Sequence, residues 1–338
     1  MIILENFSLL GLNTFRIDVS AKYFINIETE NQLESLLQNP IQIHKPVLFI
    51  GGGSNVLFTK NFDGTVLKYS AKGIQIILES KNEVFVEAQA GECWDDLVAF
   101  CVSNNFYGIE NLSLIPGNVG AAPIQNIGAY GAELKDVFEY LEGYNLESAK
   151  KQIFRKTDCR FGYRDSIFKR EFKGNFLITK VVLKLSKERK FNLTYNALKD
   201  ELSNLSNGSL TLQSIRDTVI RIRENKLPNP KQIGNAGSFF KNPEIDYTLF
   251  SDLKVKHNDM PSFIINEDCY KIPAGWLIQK CGFRGKRIGN VGSFEKQALV
   301  VINYGDAKGD EILSYAEMIR NEVYKKFGIQ LEYEVNII

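Results

Sequence analysis

Ile115-Pro116-Gly117-Asn118-Val119-Gly120-Ala121-Ala122-Pro123-Ile124-Gln125-Asn126-Ile127-Gly128-Ala129-Tyr130-Gly131 interleaves four glycines and two prolines with alanine, asparagine and single aliphatics. Neither helical nor strand periodicity explains it. Glycine serves where backbone must pass close to a ligand or adopt positive φ. A loop of this make-up offers many N–H groups and little side-chain bulk, which suits a polyanion such as a pyrophosphate. From composition alone it reads equally well as a buried glycine-rich turn.

A second glycine segment, Ile50-Gly51-Gly52-Gly53-Ser54-Asn55-Val56-Leu57, follows the short apolar run Val47-Leu48-Phe49-Ile50. A strand that empties into a glycine turn is a common seat for phosphate. The segment is neither the G-x-G-x-x-G dinucleotide fingerprint nor a P-loop, because no Gly-Lys-Ser/Thr closes it. The two loops together point to a nucleotide-type ligand more firmly than either alone.

Bulk properties narrow the field. The chain has 338 residues, enough for two or three domains, with 44% hydrophobic and 24% charged residues. Its 41 basic and 40 acidic residues leave a formal charge of +1. No global field attracts nucleic acid or anionic lipid, so neither is expected as a partner. Five scattered cysteines without C-x-x-C spacing read as reduced thiols. The N-terminus lacks a signal-peptide pattern, and the longest apolar runs are strand-length. A cytoplasmic protein is the expectation. His44 and His257 are the two histidines, and neither has a partner at metal-ligand spacing, so no metal site is expected. A histidine base and a Ser-His-Asp triad are set aside on the same ground. Chemistry must run on Ser, Tyr, Arg, Lys, Glu or a cofactor.

Residues 1–70 read as a small α/β unit. Thr29 and Gln32 suggest a capping box for a helix that buries Leu33, Leu36 and Leu37. Residues 71–210 are strand-rich (Ile74–Leu78, Val84–Ala90 and Phe176–Leu185) with a helix from Trp94 to Ser103. The polar run Ser203-Asn204-Leu205-Ser206-Asn207-Gly208-Ser209 marks a boundary. A helix over 214–225 stops at Leu227-Pro228-Asn229-Pro230. Residues 211–338 form a third unit of α/β type, with a helix from Asp310 to Phe327 and a last strand from Leu331 to Ile338 that carries Glu334.

Several side chains stand out as chemistry-bearing, each beside a plainer reading. Ser238, in the small-residue turn Gly234-Asn235-Ala236-Gly237-Ser238, exposes a hydroxyl; it is a turn serine or a proton donor. Arg164, in Phe161-Gly162-Tyr163-Arg164-Asp165, is a surface ion or a bidentate carboxylate binder. Glu334 alternates with Glu332 and Asn336, as on a solvated strand face. Tyr195 reads as a strand aromatic. Arg223 and Lys226, spaced i, i+3 near a helix end, can face one anion.

Both glycine loops resemble the flavin-binding segments of the UDP-N-acetylenolpyruvoylglucosamine reductases, flavoenzymes that complete muramic acid synthesis in bacteria. The likeness runs through Cys159-Arg160-Phe161-Gly162-Tyr163-Arg164-Asp165-Ser166, Gly234-Asn235-Ala236-Gly237-Ser238-Phe239-Phe240-Lys241-Asn242-Pro243, Ala274-Gly275-Trp276-Leu277-Ile278 and Glu332-Tyr333-Glu334-Val335. It starts at Asn13-Thr14-Phe15 and keeps the family's order.

The resemblance implies a mixed α/β and α+β fold. A two-part FAD-binding region of the vanillyl-alcohol-oxidase/PCMH type would occupy 1–70 and 71–210, and a substrate-binding domain 211–338. It implies a monomer with non-covalent FAD, NADPH as co-substrate and UDP-N-acetylglucosamine enolpyruvate as substrate. NADPH reduces the flavin and leaves; the enolpyruvyl group then receives hydride from flavin N5 at C3 and a proton at C2. Family positions place FAD on Gly51, Gly52, Gly53, Ser54, Asn55, Pro116, Gly117, Val119, Gly120, Ala121, Gln125, Asn126, Gly128 and Ala129. They make Ser238 the proton donor, with Arg164 and Glu334 stabilising the enolate-like intermediate. Tyr130, Tyr195, Arg223, Lys226, Asn242 and Gln297 would hold substrate.

Two positions depart from the family branch that closes a mobile tyrosine over substrate. Phe263 stands where that tyrosine is expected, with Tyr270 nearby as a substitute. Arg284 stands where lysine is frequent. Two competitors carry different expectations: a flavin oxidase of the same fold, and a non-enzymatic nucleotide-binding module. The first would leave the basic substrate residues unexplained, and the second would not need Ser238, Arg164 and Glu334 in matched motifs.

Overall fold

The computed structural model describes residues 2–39, 42–203 and 210–338. The described chain forms two compact units. The first comprises Met1–Phe7, Ala21–Gly52 and Phe62–Arg223, and the second Ser8–Ser20, Gly53–Asn61 and Glu224–Ile338. Most of the polar run that marks a boundary in the sequence, residues 204–209, lies outside the described residues.

The first unit carries two sheets. In one, Ser20–Ile27, Phe62–Tyr69 and Val47–Phe49 pair in parallel, with Ile3–Ser8 on the outer edge. Parallel neighbours need a crossover, and helix α1 (Glu30–Gln38) supplies it, burying Leu33, Leu36 and Leu37. Thr29 Oγ1 accepts the Gln32 N–H at 3.2 Å, but the Gln32 side chain accepts from the Glu28 N–H at 2.8 Å instead of from Thr29. The expected capping box is therefore half formed, displaced by one residue. The other sheet is antiparallel, ordered Lys150–Arg155, Phe138–Asn145, Phe176–Ser186, Glu83–Gln89 and Ile74–Glu79. Val84, Val86 and Ala88 alternate into its core, as a half-buried strand demands. Helix α2 (Trp94–Ser103) buries Trp94, Leu97, Val98 and Cys101, and the Trp94 indole N–H donates to the Leu112 carbonyl at 2.9 Å. Helix α3 (Asn196–Leu202) packs Leu198 and Leu202 with Ile215, Val219 and Ile222 of helix α4 (Leu212–Lys226).

The second unit is built on an antiparallel sheet of Gly234–Ser238, Val300–Asn303, Val291–Ser293 and Arg287–Ile288. A smaller sheet joins Glu244–Asp246, Cys269–Lys271 and Phe263–Asn266, with helices α5 (Tyr247–Lys256) and α6 (Ala274–Lys280). Helix α7 (Gly309–Phe327) buries Ile312, Tyr315, Ala316, Ile319 and Val323. It ends at Gly328, whose φ of 70° lets its N–H reach back to the Tyr324 carbonyl.

Two elements depart from the sequence reading. Residues 331–338 do not form one strand: Asn336–Ile337 pairs in parallel with Val56–Leu57, and Tyr333 makes a single bridge to Phe240. The segment Gly53–Asn61 belongs with this unit through that pairing and through Gly53, whose carbonyl accepts the Thr14 N–H at 3.0 Å. Such partners lie from tens to hundreds of residues apart, so no local pattern announces them.

Candidate active site

In the first unit the two glycine segments meet each other. A Cβ on Gly52 would lie 3.0 Å from Gly117 Cα, and one on Gly51 would lie 3.2 Å from Asn118 Oδ1. Asn118 is fixed in turn by donating to the carbonyls of Gly91 (2.7 Å) and Glu92 (3.2 Å). Gly120 lies against Ala90, where a Cβ would come within 2.6 Å of the alanine methyl. These glycines are thus required by protein neighbours, whatever else approaches them.

The expectation of many free N–H groups needs correction for the longer loop. Val119 donates to Glu92, Gly120 to Ala90, Ala121 to Asn118, Ala122 to Val119 and Ile127 to Ala122. A buried loop must satisfy its own backbone, and here short-range turns do so. The N–H groups of Gly51 and Gly52, by contrast, have no acceptor among the described residues. Backbone donors left over on residues with no side chain are the chemistry that a pyrophosphate would need.

The segment after Cys159 is knit to the same loop. Asn126, with φ 43°, donates to Glu133 Oε2 and to the Gly162 carbonyl, each at 3.0 Å, and accepts from the Lys135 N–H. Ser166 Oγ donates to the Ile124 carbonyl at 2.7 Å. Arg164, in the left-handed region at φ 53°, donates from Nη2 to the Gly128 carbonyl at 2.7 Å. Asp165 pairs with Arg170 at 2.7 Å, so the Arg-Asp dipeptide is not an internal ion pair. The guanidinium instead sits against the loop.

Tyr130 leaves the loop at φ 49°, and its ring meets that of Tyr195 edge-on, 5.3 Å apart at 86°. Arg223, from the last turn of α4, lies near enough to the Tyr130 phenol for each to act on the other's charge. Burial lowers the affinity of its guanidinium for the proton and raises that of the Tyr130 phenol. Arg216, seven residues earlier on the same face of α4, is neutralised by a bidentate pair with Asp95 at 2.7 and 2.8 Å. Arg223 has no such carboxylate among the described residues, and its Nε is buried without a hydrogen-bond partner. Asp95 acts on it from a distance but is already spent on Arg216, and a buried cation left so is costly unless an anion completes it. Lys226 is exposed at the end of the same helix.

Asn111 and the Asp95–Arg216 pair, which sequence reading missed, hold this cluster. Asn111, 1% exposed, donates to the carbonyls of both Tyr130 and Asn192 at 2.8 Å, clamping the loop to the segment that carries Tyr195. Asp95 accepts the Leu114 N–H besides pairing with Arg216. Burial opposes its charge, yet Arg216 and that amide hold its carboxyl below the ordinary range. Their partners are distant in sequence, so only the Glu110-Asn111 dipeptide before the loop offered a local signal.

In the second unit Ser238 ends a strand; it does not lie in a flexible turn. Gly237 takes φ 68° and donates to Asn235 Oδ1 at 3.0 Å, and the register against Val300–Asn303 shifts between Asn235 and Ser238. That is a β-bulge, which uses the glycine and keeps the strand paired. Glu334 is tied next to it: its N–H donates to the Phe239 carbonyl at 2.9 Å, and Asn55 Nδ2 donates to its own carbonyl at 3.2 Å. Ser54 precedes Asn55 on the same segment. Asn242 Oδ1 caps α6 by accepting the Ala274 N–H at 2.9 Å, and a Cβ on Gly275 would lie 2.7 Å from Gln297 Oε1. Phe263 is 54% exposed on an edge strand. Tyr270 is stacked on Phe250 with ring centroids 3.9 Å apart. Arg284 is exposed and donates to the Glu295 carbonyl at 2.7 Å.

Comparison with known proteins places this arrangement. Residues 21–153 match the FAD binding domain family, and residues 229–338 match the C-terminal domain of UDP-N-acetylenolpyruvoylglucosamine reductase. The chain is 45% identical to the UDP-N-acetylenolpyruvoylglucosamine reductase of Flavobacterium johnsoniae over 339 aligned residues, covering 100% of each chain. It is 43% identical to that of Bacteroides fragilis (strain YCH46), covering 99% of each. The crystal structure of the reductase from Thermus caldophilus superposes with a TM-score of 0.68 at 21% identity, over 99% of this chain and 98% of that one, and shares the fold. With flavin-domain and C-terminal matches in the order set by the sequence, and relatives of this identity along the whole length, the chain belongs to the UDP-N-acetylenolpyruvoylglucosamine reductase family.

Proposed function

We propose that this protein reduces UDP-N-acetylglucosamine enolpyruvate to UDP-N-acetylmuramate with FAD and NADPH, a step in peptidoglycan precursor synthesis. Family membership supplies the reaction. The observation that ties it to these residues is Arg223, a buried guanidinium with no carboxylate hydrogen-bonded to it among the described residues, beside Tyr130, whose ring meets Tyr195. A nucleotide sugar brings the anion such a cation needs, and the two rings offer apolar walls.

When bound, FAD carries hydride from NADPH to C3 of the enolpyruvyl group. We assign its pyrophosphate to Gly51, Gly52, Gly53, Ser54 and Asn55, and the rest of it to Pro116, Gly117, Val119, Gly120, Ala121, Gln125, Asn126, Gly128 and Ala129. Gly51 and Gly52 offer unspent N–H groups, which supports that assignment. Arg164 and Glu334 stabilise charge that develops on the enolpyruvyl group, and Ser238 delivers the proton to C2. Tyr130, Tyr195, Arg223, Lys226, Asn242, Phe263, Arg284 and Gln297 hold the substrate. We assign flavin binding to 1–70 and 71–210 and substrate binding to 211–338. We further propose a cytoplasmic monomer with no nucleic-acid or membrane partner. Near-balanced charge supports the absence of a nucleic-acid or anionic-lipid partner.

The test is Ser238→Ala in stopped flow. Flavin reduction by NADPH should keep its rate, since no proton is delivered to the sugar nucleotide in that half. Reoxidation by the enolpyruvyl substrate should slow by about 10²-fold or more, the range for a lost general acid. Ser238→Cys should recover part of it. Equal slowing of both halves would mark a structural defect, and an unslowed second half would remove Ser238 from the chemistry.

A further inference from the structure

The stretch that carries Glu334 has little regular structure to orient it. Between Leu331 and Val335 it makes one bridge, Tyr333 to Phe240, flanked by the Lys241 N–H to Glu332 and the Glu334 N–H to Phe239. Helix α7 adds a second grip through a single side chain. The Tyr333 hydroxyl donates to Glu317 Oε1 and accepts from Arg320 Nη1 at 3.4 Å. Arg320 Nη1 also binds Glu317 Oε1 at 2.8 Å, its Nε donates to the Leu331 carbonyl at 3.1 Å, and its guanidinium lies over the Tyr333 ring at 4.8 Å. The other side of that ring packs on two fully buried phenylalanines, Phe240 at 5.5 Å and 27° and Phe239 at 5.6 Å and 85°. Burial, and then Glu317, push the phenol up to about 12, so it remains a protonated donor at neutral pH.

Resting on the role proposed above for Glu334, we infer that Tyr333, held by Glu317 and Arg320, is a positioning residue that sets the direction of Glu334. Tyr333 forms the bridge, and Glu334 opens the bend that follows it. A ring clamped by α7 therefore fixes the point from which the next side chain projects. Packing alone would hold the ring in its plane; the hydroxyl and the guanidinium stop the segment from sliding along it. Small misplacements of a reacting group are costly in rate.

A double-mutant cycle in stopped flow tests this, with thermal unfolding of the flavin-free protein as a second readout. Tyr333→Phe keeps the ring stack and removes the hydroxyl. It should slow flavin reoxidation by the sugar nucleotide by about 5- to 20-fold, leave reduction by NADPH unchanged, and shift unfolding little. In a Glu334→Gln background the same change should add no further slowing, because Tyr333 acts only through Glu334. Glu317→Gln, made on the helix and outside the packed rings, should reproduce the pattern at smaller size, and serves if Tyr333→Phe does not fold. Slowing of both halves, or slowing that persists in the Glu334→Gln background, overturns the inference. If Glu334→Gln slows reoxidation and Tyr333→Phe does not, the anchor fails and the role of Glu334 stands. If Glu334→Gln slows nothing, that role fails and the anchor with it.

Discussion

Glu110 is 2% exposed, and no cation pairs with it among the described residues. Burial pushes its carboxyl above the usual range, and the Gly108 N–H donating to Oε2 at 2.8 Å offsets only part of that. A folded pKa above the unfolded one means that the contribution is most favourable below the unfolded value and is lost as pH rises through the folded one. Ionised Glu110 therefore weakens the fold at neutral pH. Glu110→Gln should raise Tm by roughly 1–3 °C at about pH 8, and the gain should shrink as pH falls and the folded carboxyl takes up its proton before the unfolded one does. Asp95, held low, works in the opposite direction and is lost only in acid. Calorimetry across that range decides it, and a gain independent of pH would refute the argument. At this scale the sequence is legible for apolar residues and poorly so for buried polar ones. The periodicity of Leu97, Val98 and Cys101 is local, whereas Asn111 matters through carbonyls of Tyr130 and Asn192 that sequence spacing does not connect.

Among the elements, the helices follow their apolar periodicity closely: α2 runs from Trp94 to Ser103 as expected, and α7 begins one residue before Asp310. Ser238 was harder to place. Its glycine neighbours read as a turn, but Gly237 sits in a bulge inside a paired strand, a choice made by Val300–Asn303 and not by local propensity. The glycine loops were legible as close-approach backbone, though not in what they approach. Gly120→Val should both lower Tm and abolish flavin retention, because the new side chain strikes Ala90 before it could touch any ligand. Flavin absorbance per mole of purified variant checks this. Full yellow content would show that the loop tolerates the bulk and that flavin does not rest on Gly120.

For the whole molecule, flavin binding and folding are linked. A ligand that binds the native state alone stabilises it by RT ln(1 + [L]/Kd), about 2.7 kcal/mol at about 100 times Kd. Stripping FAD should lower Tm, and returning it should raise Tm with the logarithm of its free concentration. A Tm indifferent to added FAD would mean that the cradle at Gly51 and Gly52 is not a flavin site. What the sequence hid at this scale is interleaving. The second compact unit draws on Ser8–Ser20, Gly53–Asn61 and Glu224–Ile338, and periodicity within any one stretch is silent about the other two. That interleaving imposes an order on synthesis. Asn55 and its neighbours Val56–Leu57 leave the ribosome some 281 residues before Asn336, whose side chain and strand complete them. At typical elongation rates of about 5–20 residues per second this is a wait of roughly 14–56 s. Throughout that interval Val56 and Leu57 form an unpaired strand edge. Newborn chains are thus open to capture by chaperones or by one another until Asn336 and Ile337 arrive and close the unit.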